Sequence, residues 1–140
     1  MTRSGRLRAF VALVLLGAGS AGAEGGLGGT FSCPQRETAG RVVCDLDLPK
    51  RSGDSTLVWV DALVLKAPPF LRPLRSRVTV PVARGGAHAL NLPVAFVAQE
   101  LGRAEISVRA RAVVCRQLQP APSGCRALQA DFTASIRVGP

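Results

Sequence analysis

Two stretches near the C-terminus decide the fold: residues 104–114, AEISVRARAVV, and residues 128–138, LQADFTASIRV. In both, apolar residues occupy every second position, and mostly polar or charged residues occupy the positions between them. This alternation is typical of a β-strand with one face in a core and the other in water, because successive side chains of a strand point to opposite faces. The two stretches therefore predict a C-terminal β-hairpin.

The register of this hairpin follows from its side chains. Placing Cys115 opposite Cys125 brings large apolar residues opposite small ones nearly throughout the apolar face. The same register places Arg109 opposite Asp131 on the polar face, as an opposite-charge pair. A shift by one residue would turn the apolar face of one strand to water. We therefore predict this register, with Phe132 buried in the core.

Earlier strands are predicted from similar patterns. Residues 41–48 alternate, and residues 56–65 are almost continuously apolar, as in a central strand covered on both faces. Residues 77–82 and 88–92 flank the sequence Arg-Gly-Gly at 84–86, which predicts a second hairpin.

The segment from Pro93 to Leu101 has a different pattern. Its apolar residues have helical spacing, with proline in the first position and Gly102 after the last, so we predict a short crossover helix. About seven strands and one short helix predict an all-β, antiparallel β-sandwich. The strand count resembles the immunoglobulin-like architecture, although the Cys–Trp–Cys arrangement of immunoglobulin domains is absent.

The N-terminal residues 1–23 have the three parts of a secretory signal peptide. Three arginines precede an apolar run over residues 9–16, and the segment ends in Ala21-Gly22-Ala23, with cleavage expected after Ala23. The apolar run is too short for a membrane-spanning helix, which needs about 20 residues. We expect a secreted or periplasmic protein, not a transmembrane one, with a flexible Gly-rich leader at 24–29 and a single domain at 30–140.

The charge of the chain is strongly basic. The 140 residues carry a formal net charge of +9, and the signal peptide contains three of the 18 basic residues and none of the nine acidic ones, which leaves +6 after cleavage. Nucleic-acid binding usually combines basic residues with stacking aromatic ones, and this chain has no tyrosine. We therefore expect a protein or an anionic envelope component as partner, and no nucleic acid.

The four cysteines are predicted to form disulfides, because an exported chain with an even number of cysteines usually pairs them. Their spacing favours two local bridges, Cys33–Cys44 and Cys115–Cys125, each closing a turn-rich loop. A bridge between the two sheets is the alternative. A zinc site is disfavoured because the chain lacks the usual close cysteine spacing.

Few residues in the sequence are suited to catalysis. His88 is the only histidine, and no nucleophile or metalloprotease motif accompanies it. Asp45 and Asp47 share one face of a predicted strand without further ligands, so we interpret them as its polar face. We expect no catalytic residue, no metal site and no cofactor, and hence not an enzyme.

The best candidate for binding is the proline-rich segment from Pro68 to Arg77. It would present the candidate partner-binding residues Phe70, Leu71, Arg72, Leu74, Arg75 and Arg77, together with Arg109 and Arg111 of the hairpin. The alternative is a sheet-crossing connection with its apolar side chains in the core. The sequence thus favours a non-enzymatic binding or assembly module, and alternatively a hydrolase inhibitor that presents the disulfide-braced loop at 117–124.

Overall fold

The structure is a computed structural model that describes residues 26–82 and 89–140. This part of the chain contains nine β-strands and no α-helix. The strands are β1 (Thr30–Ser32), β2 (Gly40–Pro49), β3 (Arg51–Ser52), β4 (Ser55–Lys66), β5 (Leu71–Pro73), β6 (Arg77–Thr79), β7 (Ala89–Ala98), β8 (Gly102–Gln117) and β9 (Ser123–Val138).

These strands form two antiparallel sheets, which confirms the all-β prediction. The first sheet has the order β1–β2–β7–β5. The second has the order β3–β4–β8–β9, and β6 pairs with a later part of β4. Strands β4 and β8 are therefore internal, whereas β1, β5 and β9 lie at sheet edges.

One hydrophobic core draws on both sheets. Every second residue of β2, of β7 and of the inner part of β8 is buried, as the alternation in the sequence requires. Burial of each larger apolar side chain contributes about 1.5–3 kcal/mol. The buried residues of these three strands are Val42, Cys44, Leu46, Leu48, Leu90, Leu92, Val94, Phe96, Ala98, Ile106, Val108, Ala110, Ala112, Val114 and Cys115.

The C-terminal hairpin has the predicted register. In β8 and β9, Cys115 lies opposite Cys125, and Arg109 lies opposite Asp131. Phe132 packs against the core but is only half-buried, so the expectation of its full burial was wrong. Gly29, just before β1, lies beside the Phe132 ring, and within the described residues no further strand pairs with β9 on the side away from β8.

Both local disulfides are confirmed. Cys33 is bonded to Cys44, with the Cα atoms 4.2 Å apart, and Cys115 is bonded to Cys125, with the Cα atoms 4.0 Å apart. No cysteine remains free. One bond connects the end of β1 to β2, and the other connects β8 to β9, so neither joins the two sheets.

The predicted crossover helix at residues 93–101 is wrong, because most of this segment belongs to β7. Pro93 is tolerated in β7 because the neighbouring strand β5 is short and does not extend alongside Pro93. The Leu74 N–H donates to the carbonyl of Ala95, so the odd residues of β7 direct their backbone groups towards β5. Strand β5 pairs only with residues 96–98, and the missing N–H of Pro93 therefore faces a position beyond its end.

The predicted hairpin between residues 77–82 and 88–92 is also wrong where it can be compared. Val78 of β6 pairs with Ala62 of β4 in the second sheet. Leu92 of β7 pairs with Leu46 of β2 in the first sheet. The two segments therefore belong to different sheets. The turn predicted at residues 84–86 and His88 lie outside the described residues.

A β-bulge explains the almost continuous apolar run of β4. The pairing with β8 shifts between Leu57 and Trp59, so one extra residue is inserted into β4. Leu57 before the bulge and Val60 after it are both buried in the core. The bulge thereby places Trp59 and Asp61 on the outer face of the second sheet.

The signal peptide predicted for residues 1–23 lies outside the described residues. Leu27, within the segment interpreted as a leader, is 7% exposed and belongs to the core. Among the described residues, no helix is long and apolar enough to cross a bilayer.

Candidate functional site

The segment from Pro68 to Arg77 connects the two sheets and divides its side chains between core and surface. Leu71 begins β5 and is 3% exposed, so it is part of the core and not of a binding surface. Phe70 is half-buried and lies over Gly102. A Cβ atom at Gly102 would come within 2.6 Å of the Phe70 ring, so this glycine makes room for the ring.

The exposed part of the segment forms one wall of an apolar groove. Leu74 is 47% exposed, and the groove beside it has a volume of about 390 Å³. Its lining combines the outer face of the first sheet with the chain from residue 74 to residue 80. The lining residues are Arg41, Val43, Leu74, Arg75, Val78, Thr79, Val80, Pro93 and Ala95.

Two arginines from distant parts of the sequence line this groove together. Arg41 comes from β2 and Arg75 from the connection after β5. Both are exposed, and neither has an ion-pair partner within residues 26–82 and 89–140. Arg72 is also exposed and pairs through its backbone with Val97 of β7. Unpaired guanidinium groups beside an apolar lining suit a ligand that carries both carboxylates and apolar side chains.

The outer face of β2 changes character along the strand. Arg41 and Val43 line the groove, and Asp45 and Asp47 follow on the same face. Asn91 of β7 bridges the two carboxylates, donating from Nδ2 to Asp47 Oδ1 at 2.9 Å and to Asp45 Oδ1 at 3.1 Å. Asp45 lies opposite Pro93 of β7, next to the groove, but neither carboxylate belongs to the groove lining.

The other candidate arginines lie on the second sheet and are occupied within the molecule. Asp61 is fully buried, and Arg111 Nε donates a hydrogen bond to its Oδ1 at 2.9 Å. Arg111 Nη2 also donates to Asp61 Oδ2, and Arg77 Nε lies 2.7 Å from the same oxygen. The hydrogen bonds from Arg111 lower the pKa of the Asp61 carboxyl below its ordinary value, against the opposing effect of burial.

Arg109 forms a second ion pair on the same face. Its Nε donates to Asp131 Oδ1 at 2.7 Å, and its Nη2 donates to Oδ2 at 3.0 Å. This bidentate pair lowers the pKa of the Asp131 carboxyl. Trp59 is 39% exposed beside these pairs, with the guanidinium carbon of Arg111 6.0 Å from the centre of its ring. Arg77, Arg109 and Arg111 therefore stabilise a sheet surface and are not free cations.

Sequence reasoning thus found only part of the groove. Leu74 and Arg75 were predicted as binding residues, but Arg41 and Val43 were not, because their role depends on strand pairing across the sheet. Asp61 was missed as well. A single charge within the apolar run of residues 56–65 is the pattern that could have identified it, since a buried charge needs partners.

The loop proposed for an inhibitor is exposed. Strand β8 ends at Gln117 and β9 begins at Ser123, whose Oγ donates to Gln117 Oε1 at 3.0 Å. Leu118 is 40% exposed, and the Cys115–Cys125 bond lies at the base of the loop.

No protein-family model matches the chain, and no curated protein matches it either.

Proposed function

We propose that the protein is an exported, non-enzymatic binding module whose apolar groove receives an acidic, apolar segment of a partner protein. The observation that carries this proposal is the groove itself, in which Arg41 and Arg75 lie beside the apolar residues Val43 and Leu74. The scaffold we propose is an immunoglobulin-like sandwich of the two sheets. The signal peptide and a secreted or periplasmic location belong to the same proposal, and the two disulfides favour an oxidising compartment.

Charge complementarity supports an acidic partner. A carboxylate in the groove would form charge-assisted hydrogen bonds with guanidinium groups that have no partner among the described residues. Apolar side chains of the same segment would bury Leu74, which is otherwise 47% exposed. A segment with alternating apolar and acidic residues satisfies both requirements in an extended conformation, because its side chains alternate between two faces.

The experiment measures binding of a fluorescent peptide with alternating leucine and aspartate by anisotropy. A peptide of equal length with lysine in place of aspartate serves as the opposite-charge probe. The double charge reversal Arg41→Glu with Arg75→Glu should weaken binding of the acidic peptide by tenfold or more. Arg51→Glu, which makes the same charge change at an exposed residue of β3 outside the groove lining, is the matched control and should leave the affinity nearly unchanged.

The apolar contribution is tested separately with Leu74→Ser, which should also weaken the peptide complex. Leu74 is exposed, so this variant should retain its thermal stability. Equal affinity for the acidic and the basic peptide would overturn the proposal. Binding of vesicles containing anionic lipid, without binding of the acidic peptide, would overturn the protein partner and indicate an anionic envelope surface instead.

A hydrolase inhibitor is the second candidate function, and one observation favours it. The loop between Gln117 and Ser123 is exposed and is held at its base by a disulfide and a side-chain hydrogen bond. Such a preorganised loop loses little conformational entropy on binding. Inhibition of any member of a broad hydrolase panel that is lost in Leu118→Ala would favour this function. No inhibition across the panel would exclude it for those enzymes.

A further inference from the structure

Strand β9 has a long free edge. It is a 16-residue strand at the end of the second sheet, and β8 pairs with it on one side only. On its other side, within the described part of the chain, Arg36 forms a bridge at Val138. Long edge strands present unpaired backbone groups and readily accept another strand.

The hydrogen bonds of Arg36 show which residues of β9 face this free edge. The Arg36 N–H donates to the carbonyl of Arg137 at 3.0 Å, and the Gly139 N–H donates to the carbonyl of Arg36 at 2.7 Å. The backbone N–H and C=O groups of successive residues in a strand point to alternate sides, so those of the odd-numbered residues of β9 point to its free edge. In the open part of the edge, these odd-numbered residues are Ala127, Gln129, Asp131, Thr133 and Ser135.

The inner face of β9 is incompletely covered in the same region. Leu128, Ala130 and Phe132 are half-buried, although all three pack against the core. Their partners on β8 are buried almost completely. Apolar area therefore remains exposed along the free edge, next to the outward-facing backbone groups.

We propose that a second copy of this chain pairs with this edge, antiparallel and symmetrically about Ala130. In that register Leu128 lies opposite Phe132 of the second copy, and Phe132 lies opposite its Leu128. The two Ala130 residues face each other, and Gln129 lies opposite Asp131 of the second copy. One two-fold axis thus buries the half-covered apolar residues and places an amide opposite a carboxylate. The edge is therefore complementary to itself, which is what an isologous interface requires.

Neighbouring registers fit less well. An axis at Asp131 would place the two Asp131 carboxylates opposite each other, and like charges in that position are destabilising. An axis at Gln129 would place Phe132 opposite the charged Arg126 of the second copy. The self-complementary sequence around Ala130 therefore points to a second copy and not to an unrelated strand.

This interface does not depend on the binding function proposed above. The groove residues Val43 and Ala95 belong to the first sheet, whereas β9 belongs to the second. Pairing at β9 would join two second sheets and would give one dimer two grooves.

Cysteine cross-linking tests the register. Residues on the axis face themselves, so Ala130→Cys should give an interchain disulfide, seen as a covalent dimer on a non-reducing gel. Ala127→Cys is the matched control, because it would face Thr133 of the second copy and should remain monomeric on the same gel. Covalent dimers of Ala127→Cys in equal amount, or none with Ala130→Cys, would overturn the proposal.

A charge pair tests the same interface without touching the core. Gln129 is exposed, and Gln129→Glu would place glutamate opposite Asp131 of the second copy, whereas Gln129→Lys would place lysine there. Sedimentation velocity over a concentration series of the full chain should show a dimer. The glutamate variant should weaken dimerisation by about tenfold relative to the lysine variant. A monomer at every concentration, or equal dimerisation of the two variants, would refute the interface.

Discussion

Removing the charge of Asp61 while keeping its shape should destabilise the protein strongly, and the loss should depend on pH. In Asp61→Asn the amide group would have to meet Arg77 or Arg111 donor to donor, since both arginines converge on one fully buried carboxylate. A hydrogen bond to a charged group contributes about 1.5–3 kcal/mol. Because the side chains of Arg111 and Arg77 are 40% and 53% exposed, water would replace part of what is lost. We therefore expect the free energy of unfolding to fall by about 2 kcal/mol at neutral pH.

The pH dependence has a defined sign. The pKa of Asp61 is lowered in the folded state, chiefly by its hydrogen bonds with Arg111, so the unfolded chain binds a proton more readily. The stabilisation by this carboxylate is thus fully present above the unfolded pKa and is lost as pH falls through the folded pKa. The difference in stability between the wild type and Asp61→Asn should accordingly shrink under acid.

Urea unfolding measures this effect. The fluorescence of Trp59, the only tryptophan, reports on the same surface, and circular dichroism gives a second probe. Asp131→Asn is the matched control, because Asp131 forms a similar pair with Arg109 but its side chain is 52% exposed, so its loss should be much smaller. If Asp131→Asn proved the more damaging, or if the Asp61→Asn loss persisted undiminished in acid, the reasoning would fail.

Three further sets of substitutions test the packing and the disulfides, each by urea unfolding. Phe132→Ala should cost about 2 kcal/mol, because the ring is only half-buried, whereas Phe96→Ala in the core should cost about 3–5 kcal/mol; equal losses would contradict the edge position of β9. Gly102→Ala should cost about 1–3 kcal/mol, because the new methyl group would displace the Phe70 ring, and the loss should be smaller in a Phe70→Leu background. Replacing both cysteines of either disulfide by serine should cost about 2–3 kcal/mol, and an unchanged midpoint would show that the loop closure contributes nothing.

The C-terminal hairpin could be predicted in detail because its determinants are local. Alternation, the Cys115–Cys125 pair and the Arg109–Asp131 pair all lie within one hairpin and agree on one register. The strands that pair over long distances in the sequence have no comparable set of local signals that agree on one register. The register alone could not show which parts of the first sheet lie beside β9, and this is why the burial of Phe132 was overestimated.

The errors elsewhere have a common physical origin. The apolar residues from Leu90 to Ala98 occupy every second position, as in a strand. The overlapping segment from Pro93 to Leu101 fits the spacing of a helix equally well, so the pattern alone could not decide between them. Proline at the start of the segment favoured the helix, and only the short extent of β5 shows why a strand tolerates Pro93. Similarly, nothing near Val78 in the sequence indicates that it pairs with Ala62 and not with the strand that follows it.

The candidate site was predictable only in its exposed connection. The composition of the segment after Pro68 pointed to Leu74 and Arg75, but the groove also needs Arg41 from a strand more than 30 residues earlier. The ion pairs of Asp61 likewise join three strands. Such convergence depends on sheet order, which neither composition nor spacing encodes.

The placement of the two disulfides has a mechanical consequence. Each crosslink lies within one sheet, so the contact between the sheets relies on apolar packing, on the connecting segments of the chain and on the backbone hydrogen bonds of Arg36 with Arg137 and Gly139. Strand β1 belongs to the first sheet and the C-terminal strand β9 to the second. Tension applied to β1 and β9 would therefore pull one layer away from the other without straining a covalent crosslink. Under such a load the layers would separate first, while the crosslinked parts within each layer kept their pairing.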